Sequence, residues 1–517
     1  MNRLFVTLFL FTIISLQASL PITRQSIQKA IEQIDRFVID GREETSVPGV
    51  AIAVVYNDEM LHLKGYGVRE VGKMDSVDND TVFQLASLSK PITSSVLAAV
   101  VAGGQVRWDS QIATLDPAFQ LSDPWVTQHV TVADFLSHRS GLFDHAGDLL
   151  EDLGYDAKTI IHQLRFIPRL NPFRASYAYT NFGFSEAAFA VANSLNQSWA
   201  SLASEKLFVP LRMRNASFSY KDYQNAVNKA VAHQFIDKSP MPLHVRDPDP
   251  QAPAGGANMS IKDLAKWMIF SLNSGSYKGH RLVPEKALLE TQSPHIVSEL
   301  DLLKNRISFY GLGWGIKYNE YGNKVLSHSG AFALGVRSQV VLIPELNVGI
   351  AVLTNAYPHA LPEAITQTFL DLIYTGKVQK DWLPEMNERF INAMGDESHE
   401  YQKPKNYIPH IELDRYVGLY YNEYYGDMRI VNEFDQLVLI IGPKSSRFPL
   451  RHYNKDTFIM KTEGENSVNE TKVVFEFSPE GFTKRVIIDY LNNHGLGVFL
   501  PIREDGISLS RRQRDRQ

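Results

Sequence analysis

Between Lys324 and Asn355 the chain reads KVLSHSGAFALGVRSQVVLIPELNVGIAVLTN, three β-type runs separated by two short turn signals, Ser329–Ala331 and Pro344–Asn347. Parallel strands need a crossover of a dozen or more residues, so runs joined by links this short must pair antiparallel. A second pair lies near the N-terminus, where Val50–Val55 and Met60–Tyr66 flank a polar turn at Asn57 and Asp58. Ahead of that hairpin, residues 22–41 carry Ile27, Ile31, Ile34, Phe37 and Val38 at helical spacing, and LPEAITQTFLDLIYTG forms a closing helix that stops before Gly376. From Ser87 to about Leu289 helical patterns dominate, broken by Pro-, Gly- and Asp-rich loops such as RDPDPQAPAGGANMS.

At 517 residues the chain exceeds the roughly 250–300 at which single cores stop growing, so more than one domain is expected. Residues 381–410 turn polar and lose periodicity, as a linker would. Beyond them short aromatic and β-branched runs alternate with turns, which predicts a small antiparallel sandwich or barrel over 411–517. At the other end Arg3, an apolar run from Leu4 to Leu16, and small Ala18 and Ser19 before Pro21 have the form of a secretory signal over 1–19. That run is shorter than the ~20 residues needed to span a bilayer, so no membrane span is expected after cleavage and the product is expected to be periplasmic or secreted. Residues 20–380 then form the first domain.

Charge and cysteine content narrow the chemistry. Lys plus Arg total 52 against 57 Asp plus Glu, a net charge of −5, with no long basic tract to supply the electrostatic term of nucleic-acid binding. A small-molecule or peptide substrate fits better. The absence of cysteine rules out disulfides, thiolate metal sites and a cysteine nucleophile, leaving oxygen and nitrogen groups for any catalysis.

One such group stands out in TVFQLASLSKPITSS. Ser87 precedes Lys90 by three residues and so shares its helix face, and Pro91 marks the first turn of a helix. A hydroxyl near the positive end of a helix, with an amine in reach, suits a nucleophile with its base. The spacing alone is common: Ser26 and Lys29 repeat it on the N-terminal helix, where a structural role is expected. Tyr179 and Asn181 offer further polar partners, but Tyr223, Tyr321, Tyr420 and Tyr490 also precede an asparagine by two. His328, Ser329 and Gly330 stand at the end of a predicted strand, and His145-Ala146-Gly147 has the same spacing.

Taken in order, SLSK, YTN and HSG resemble the three active-site elements of the serine β-lactamase and penicillin-binding protein superfamily, in its class C, D-alanyl-D-alanine carboxypeptidase and esterase branch. Between them VTVADFLSHRSGLFDH from Val130, GGANMSIKDLAKW from Gly255 and YGLGWGI from Tyr310 also match that branch. The resemblance implies an α+β fold: an antiparallel sheet flanked by helices with an inserted helical region, followed here by the small C-terminal all-β domain. It implies that Ser87 attacks a carbonyl carbon, Lys90 takes or relays its proton, and Tyr179 protonates the leaving group and activates water. Asn181 would hydrogen-bond a substrate amide and orient Lys90, His328, Ser329 and Gly330 would bind substrate, and the backbone N–H groups of Ser87 and Ala331 would hold the oxyanion. No metal or cofactor is implied, and the partner of the C-terminal domain is not indicated. Histidine at 328, where β-lactamases usually carry lysine, points towards carboxypeptidases and D-aminopeptidases, and with an ordinary pKa it would lose its charge between about pH 6 and 8. A non-catalytic binder of penicillin or cell-wall peptides is the alternative, although such a protein is expected to have lost one of the three elements.

Overall fold

The computed structural model describes residues 22–243, 245–301, 306–394 and 399–502. The export signal expected at 1–19 lies outside them. Thr23 caps helix α1 (Arg24–Thr45) in a reciprocal pair with Ser26, and Ile27, Ile31, Ile34 and Val38 form its buried stripe. Ser26 therefore serves the helix cap and Lys29 is exposed, so this second serine–lysine pair is structural.

The N-terminal hairpin folds as β1 (Gly49–Tyr56) and β2 (Glu59–Gly67). The helical region after it includes α2 (Ser89–Ala102), α3 (Asp148–Asp152), α4 (Asn181–Ser194) and α5 (Ile261–Leu272). Six more strands complete the sheet: β3 (Ile296–Asp301), β4 (Arg306–Tyr310), β5 (Gly315–Tyr318), β6 (Lys324–Phe332), β7 (Val336–Ile343) and β8 (Val348–Thr354). Their order is β3-β4-β5-β6-β7-β8-β1-β2, antiparallel throughout. Both faces are covered, which is why β1, β7 and β8 read as nearly continuous apolar runs. On β1 the side chains divide with period two. Val50, Ile52 and Val54 meet α1 and helix α6 (Leu361–Thr375), while Ala51, Ala53 and Val55 meet α2 and α5.

Two expectations change. The turn read at Ser329–Ala331 is strand, and β6 turns instead at Ala333–Gly335, where Gly335 takes φ +121 and a Cβ would strike the His233 backbone. Gly330 answers to a close approach of this strand to the Leu85 backbone rather than to a turn. The stretch read as a linker from 381 begins with helix α7 (Trp382–Met394), whose Leu383 and Met386 are buried against the α1 and α6 core. Flanking charges had hidden its apolar stripe.

After α7 the chain enters a closed antiparallel barrel of eight strands, β9 (Gly418–Asn422), β10 (Gly426–Glu433), β11 (Gln436–Ile441), β12 (Ser446–Asn454), β13 (Thr457–Lys461), β14 (Glu470–Phe477), β15 (Thr483–Ile488) and β16 (Val498–Pro501). Pairing of β9 with β16 closes it and removes the exposed edges. The fold is thus a helix-flanked antiparallel sheet with an inserted helical region, followed by an all-β barrel. None of the described helices is long and apolar enough to cross a membrane.

Candidate active site

A short strand, Val82–Gln84, pairs with Asn258–Ser260 and delivers the chain into a turn at Ala86–Leu88. Ala86 sits at φ +49, a left-handed conformation that costs a residue with a side chain roughly 1–2 kcal/mol. A small apolar cluster of Ala232, Phe332 and Val336 packs around it and holds it there. The turn presents Ser87, which alone among residues 81–98 is not buried. The regular helix begins two residues later, at Ser89.

Strand β6 crosses this turn at backbone contact. A Cβ on Gly330 would fall on the Leu85 carbonyl oxygen, and Ser338 of β7 donates to that oxygen from its hydroxyl at 2.8 Å. Glycine is therefore required at 330 so that the next residue, Ala331, passes beside Ser87.

Lys90 is fully buried and its Nζ has three oxygen neighbours: Asn181 Oδ1 at 2.8 Å, the Ala254 carbonyl at 3.1 Å and Ser87 Oγ at 3.2 Å. It also lies 4.4 Å from the centre of the Tyr179 ring. Two of those oxygens can only accept, so a neutral amine donating to both turns its lone pair to Ser87. Burial drives the Lys90 pKa well below the usual lysine value, helped by the nearby Arg246 charge and opposed by Asp148. The same burial drives Tyr179 well above the usual tyrosine value, opposed by its hydrogen bond with Ser87. The site thus pairs a poised base with a phenol that keeps its proton.

Tyr179 is pinned on both sides. The N–H groups of Ala178 and Thr180 donate to the His138 carbonyl (2.9 Å) and to His138 Nδ1 (3.1 Å). Its own N–H donates to Asp144 at 2.6 Å, and its carbonyl accepts from His145 N–H at 2.7 Å.

A model of the family described as Beta-lactamase matches residues 34–373, which contain every one of these groups. The chain belongs to the Beta-lactamase family. A second model, Domain of unknown function (DUF3471), matches residues 402–496 and so covers most of the barrel. Among curated proteins the chain is 26% identical over 469 residues to unguisins hydrolase ungD' of Aspergillus campestris (84% of this chain, 85% of the relative). It is 27% identical over 323 residues to penicillin-binding protein 4 of Amycolatopsis lactamdurans (61% of this chain, 82% of the relative). Among solved structures it resembles the octameric penicillin-binding protein homologue from Pyrococcus abyssi, with TM-score 0.59 and 19% identity over 89% of this chain and 98% of that one. A class C β-lactamase from Rhodobacter sphaeroides aligns with TM-score 0.55 and 17% identity over 68% of this chain and 99% of that one. At these identities the structural matches speak for the fold.

Within this Beta-lactamase family site the structure brings Ser87, Lys90, Tyr179, Asn181 and Gly330 together and bears on three of the expected roles. Asn181 is 8% exposed and uses both ends of its amide inside the protein, accepting from Lys90 and donating to Asp148 at 2.8 Å. The contact with Lys90 is one of the two roles expected of it. Ser329 follows strand alternation to the opposite face of the sheet, where its hydroxyl donates to Glu363 of α6 at 3.1 Å, so it does not bind substrate in this pocket. His328 faces the pocket but is neutral: its Nδ1 bonds the Ser329 carbonyl at 2.6 Å and therefore carries the proton, leaving Nε2 to accept from the Tyr310 hydroxyl at 2.8 Å. Burial, the largest influence, lowers its pKa to about 3. A pKa this low moves the loss of charge below the window of pH 6 to 8 expected for an ordinary histidine.

Several residues in this site were not singled out from sequence. His138, Asp144 and Tyr310 lie inside the matching segments VTVADFLSHRSGLFDH and YGLGWGI, where only the motif as a whole drew notice. His145, set aside as a chance repeat, pairs with Asp148 at 2.8 Å, and Asp148 carries the chain of contacts on to Asn181 and Lys90.

Proposed function

We propose that this chain is an exported serine hydrolase that forms an acyl-enzyme on Ser87 and cleaves amide, β-lactam or ester bonds. The observation that carries this reading is the Lys90 amine: buried, depressed in pKa, donating to two acceptors and left with Ser87 Oγ as the group its lone pair can serve. Ser87 Oγ attacks the carbonyl carbon as its proton passes to Lys90. The oxyanion is held by the backbone N–H groups of Ser87 and Ala331, each such donor being worth about 3 kcal/mol in comparable sites. Tyr179 gives its proton to the leaving group and recovers one from Lys90 across the gap between them. In deacylation Tyr179 draws a proton from the attacking water as it passes its own through Lys90 to Ser87 Oγ, which is released from the acyl group.

The neutral His328, capped by Tyr310, offers no charge to a substrate carboxylate. Substrates without a carboxylate beside the scissile bond, such as esters and internal amides, suit this wall. Relatives named as an unguisins hydrolase and a penicillin-binding protein support acyl transfer as the class of chemistry. The test is turnover of a chromogenic ester and a β-lactam by Ser87→Ala, Lys90→Ala and Tyr179→Phe. Ser87→Ala is expected to abolish it, and the other two to lower it at least ~10²-fold. Unchanged turnover in Ser87→Ala would refute the reading.

A further inference from the structure

The barrel sends one loop, between β13 and β14, into the wall of the hydrolase domain directly behind Ser87. Its Glu465 is nearly buried, with 11% of the side chain exposed. The carboxylate accepts from the backbone N–H groups of Ala333 (2.7 Å) and Leu334 (3.3 Å), the turn that ends β6. It also pairs with Arg246 Nη1 at 3.0 Å. Arg246 lies 4.6 Å over the Phe332 ring, pairs with Glu151 of α3 at 2.6 Å, and accepts on its carbonyl from Gln84, one residue before Leu85.

These contacts converge on one place. Phe332 is the residue between Ala331 and the turn that Glu465 holds, and it belongs to the small apolar cluster that contains Ala86, the left-handed residue before the nucleophile. Ala86 adopts that conformation only while its surroundings enforce it. The Glu465 carboxylate is thus linked to the cluster around Ala86, the residue before Ser87, by two contacts through the β6 turn and Phe332, and by three through Arg246 and Phe332. The loop itself is locked in turn, since Asp152 of α3 accepts from the N–H groups of Glu465 and Asn466 at 3.0 Å each.

We propose that Glu465 of the barrel is a positioning residue for acyl transfer: by holding the 333–334 amides it fixes Phe332 in the cluster around Ala86, and so sets the Ser87 hydroxyl and the Ala331 N–H in register for attack. The catalytic site of the hydrolase domain is on this account completed by the C-terminal barrel of the same chain. The inference rests on the reading of Ser87 as the residue that is acylated.

The test uses the full-length protein, a chromogenic acetyl or butyryl ester, and fluorophosphonate labelling of Ser87, with thermal unfolding measured in parallel. Glu465→Ala is expected to lower kcat on the order of tenfold or more, the scale at which small misplacements act, with KM changed less than twofold and Ser87 still labelled but more slowly. Glu465→Gln keeps an acceptor for the Ala333 amide and is expected to recover kcat to within about threefold of wild type. Lys444→Ala removes a stem packed on Gly154 elsewhere in the same interface and is expected to leave kcat unchanged. A purely structural role would lower Tm in Glu465→Ala while leaving kcat of the folded protein within twofold, and that result would overturn the proposal. Equal loss in the Ala and Gln variants would also overturn it, by assigning the effect to the Arg246 charge pair rather than the turn. Should Glu465→Ala fail to fold, the Gln variant decides: kcat and labelling near wild type uphold the amide contact, and a tenfold fall refutes it. Failure of the acyl-enzyme reading is seen separately, as absence of label on wild-type Ser87.

Discussion

Lys90 is buried and His328 half-buried, and desolvation acts on both in the same direction, disfavouring the charged form. For Lys90 the result is an amine shifted towards its neutral form, the form that can take a proton. For His328 it is an uncharged wall, with the Nδ1 proton committed to a carbonyl and Nε2 to Tyr310. The ratio of kcat/KM for a carboxylate-bearing substrate to that for a matched neutral ester is therefore expected to stay flat from about pH 5.5 to 8.5, a window around the ordinary histidine pKa of about 6.5. Shared titrations of Lys90 and Tyr179 cancel in the ratio. A fall of tenfold or so across that window would show His328 protonated in the free enzyme at its lower end and would contradict the neutral assignment.

Among the elements, β6 bears most on the site, and its two faces make opposite predictions. Gly330 touches the nucleophile turn at Leu85, so Gly330→Ala must push the strand away from Ser87. Overpacking of this kind costs about 1–3 kcal/mol, and turnover is expected to fall at least tenfold alongside Tm. Ser329 looks the other way, onto Glu363, and Ser329→Ala is expected to keep kcat within about threefold. A Ser329→Ala variant with a large rise in KM would restore its role in substrate binding. What could be read from sequence at this scale depends on how local each signal is. Ser87 and Lys90 are neighbours on one turn, and the second half of β7 (Val340–Ile343) and most of β8 announce themselves by apolar runs. Asp148 and His138 reach the site through contacts with Asn181 and Thr180 across 33 and 42 residues of chain, which no local pattern encodes. The face of Ser329 depended on knowing that β6 runs on to Phe332 instead of turning at 329–331. The helix at Trp382–Met394 was missed because its buried Leu383 and Met386 sit among charged residues and acquire meaning only against α6.

For the whole molecule, the barrel and the hydrolase domain are joined by more than a chain connection. Tyr424 accepts from the Gly147 N–H ahead of α3, Gln163 donates to the carbonyls of Glu423 and Tyr424, and His494 packs on Phe143 at 4.0 Å. At the centre of this interface one cation, Arg246, serves two carboxylates, Glu151 and Glu465, with Asp148 and Asp152 close by. Burial raises both Glu151 and Glu465 to about 7 despite the pull of Arg246. A carboxyl whose pKa is higher folded than unfolded contributes stability that is complete below its ordinary value near 4.5 and is lost as pH rises through about 7. Wild type is therefore expected to lose a few degrees of Tm between pH 6 and 8.5, and Glu151→Gln, which cannot ionise, to lose less. Identical slopes in the two proteins would show that Glu151 is ionised throughout and that the interface does not sense pH.

The central claim, an acyl-enzyme on Ser87, is tested most directly by intact-mass spectrometry after incubation with a fluorophosphonate and, separately, with a labelled β-lactam. The wild-type chain is expected to gain the mass of one adduct with at least one probe, located by digestion to the peptide containing Ser87, and Ser87→Ala is expected to gain none. No adduct on Ser87 with either probe, or an equal adduct on the Ser87→Ala protein, would contradict the account.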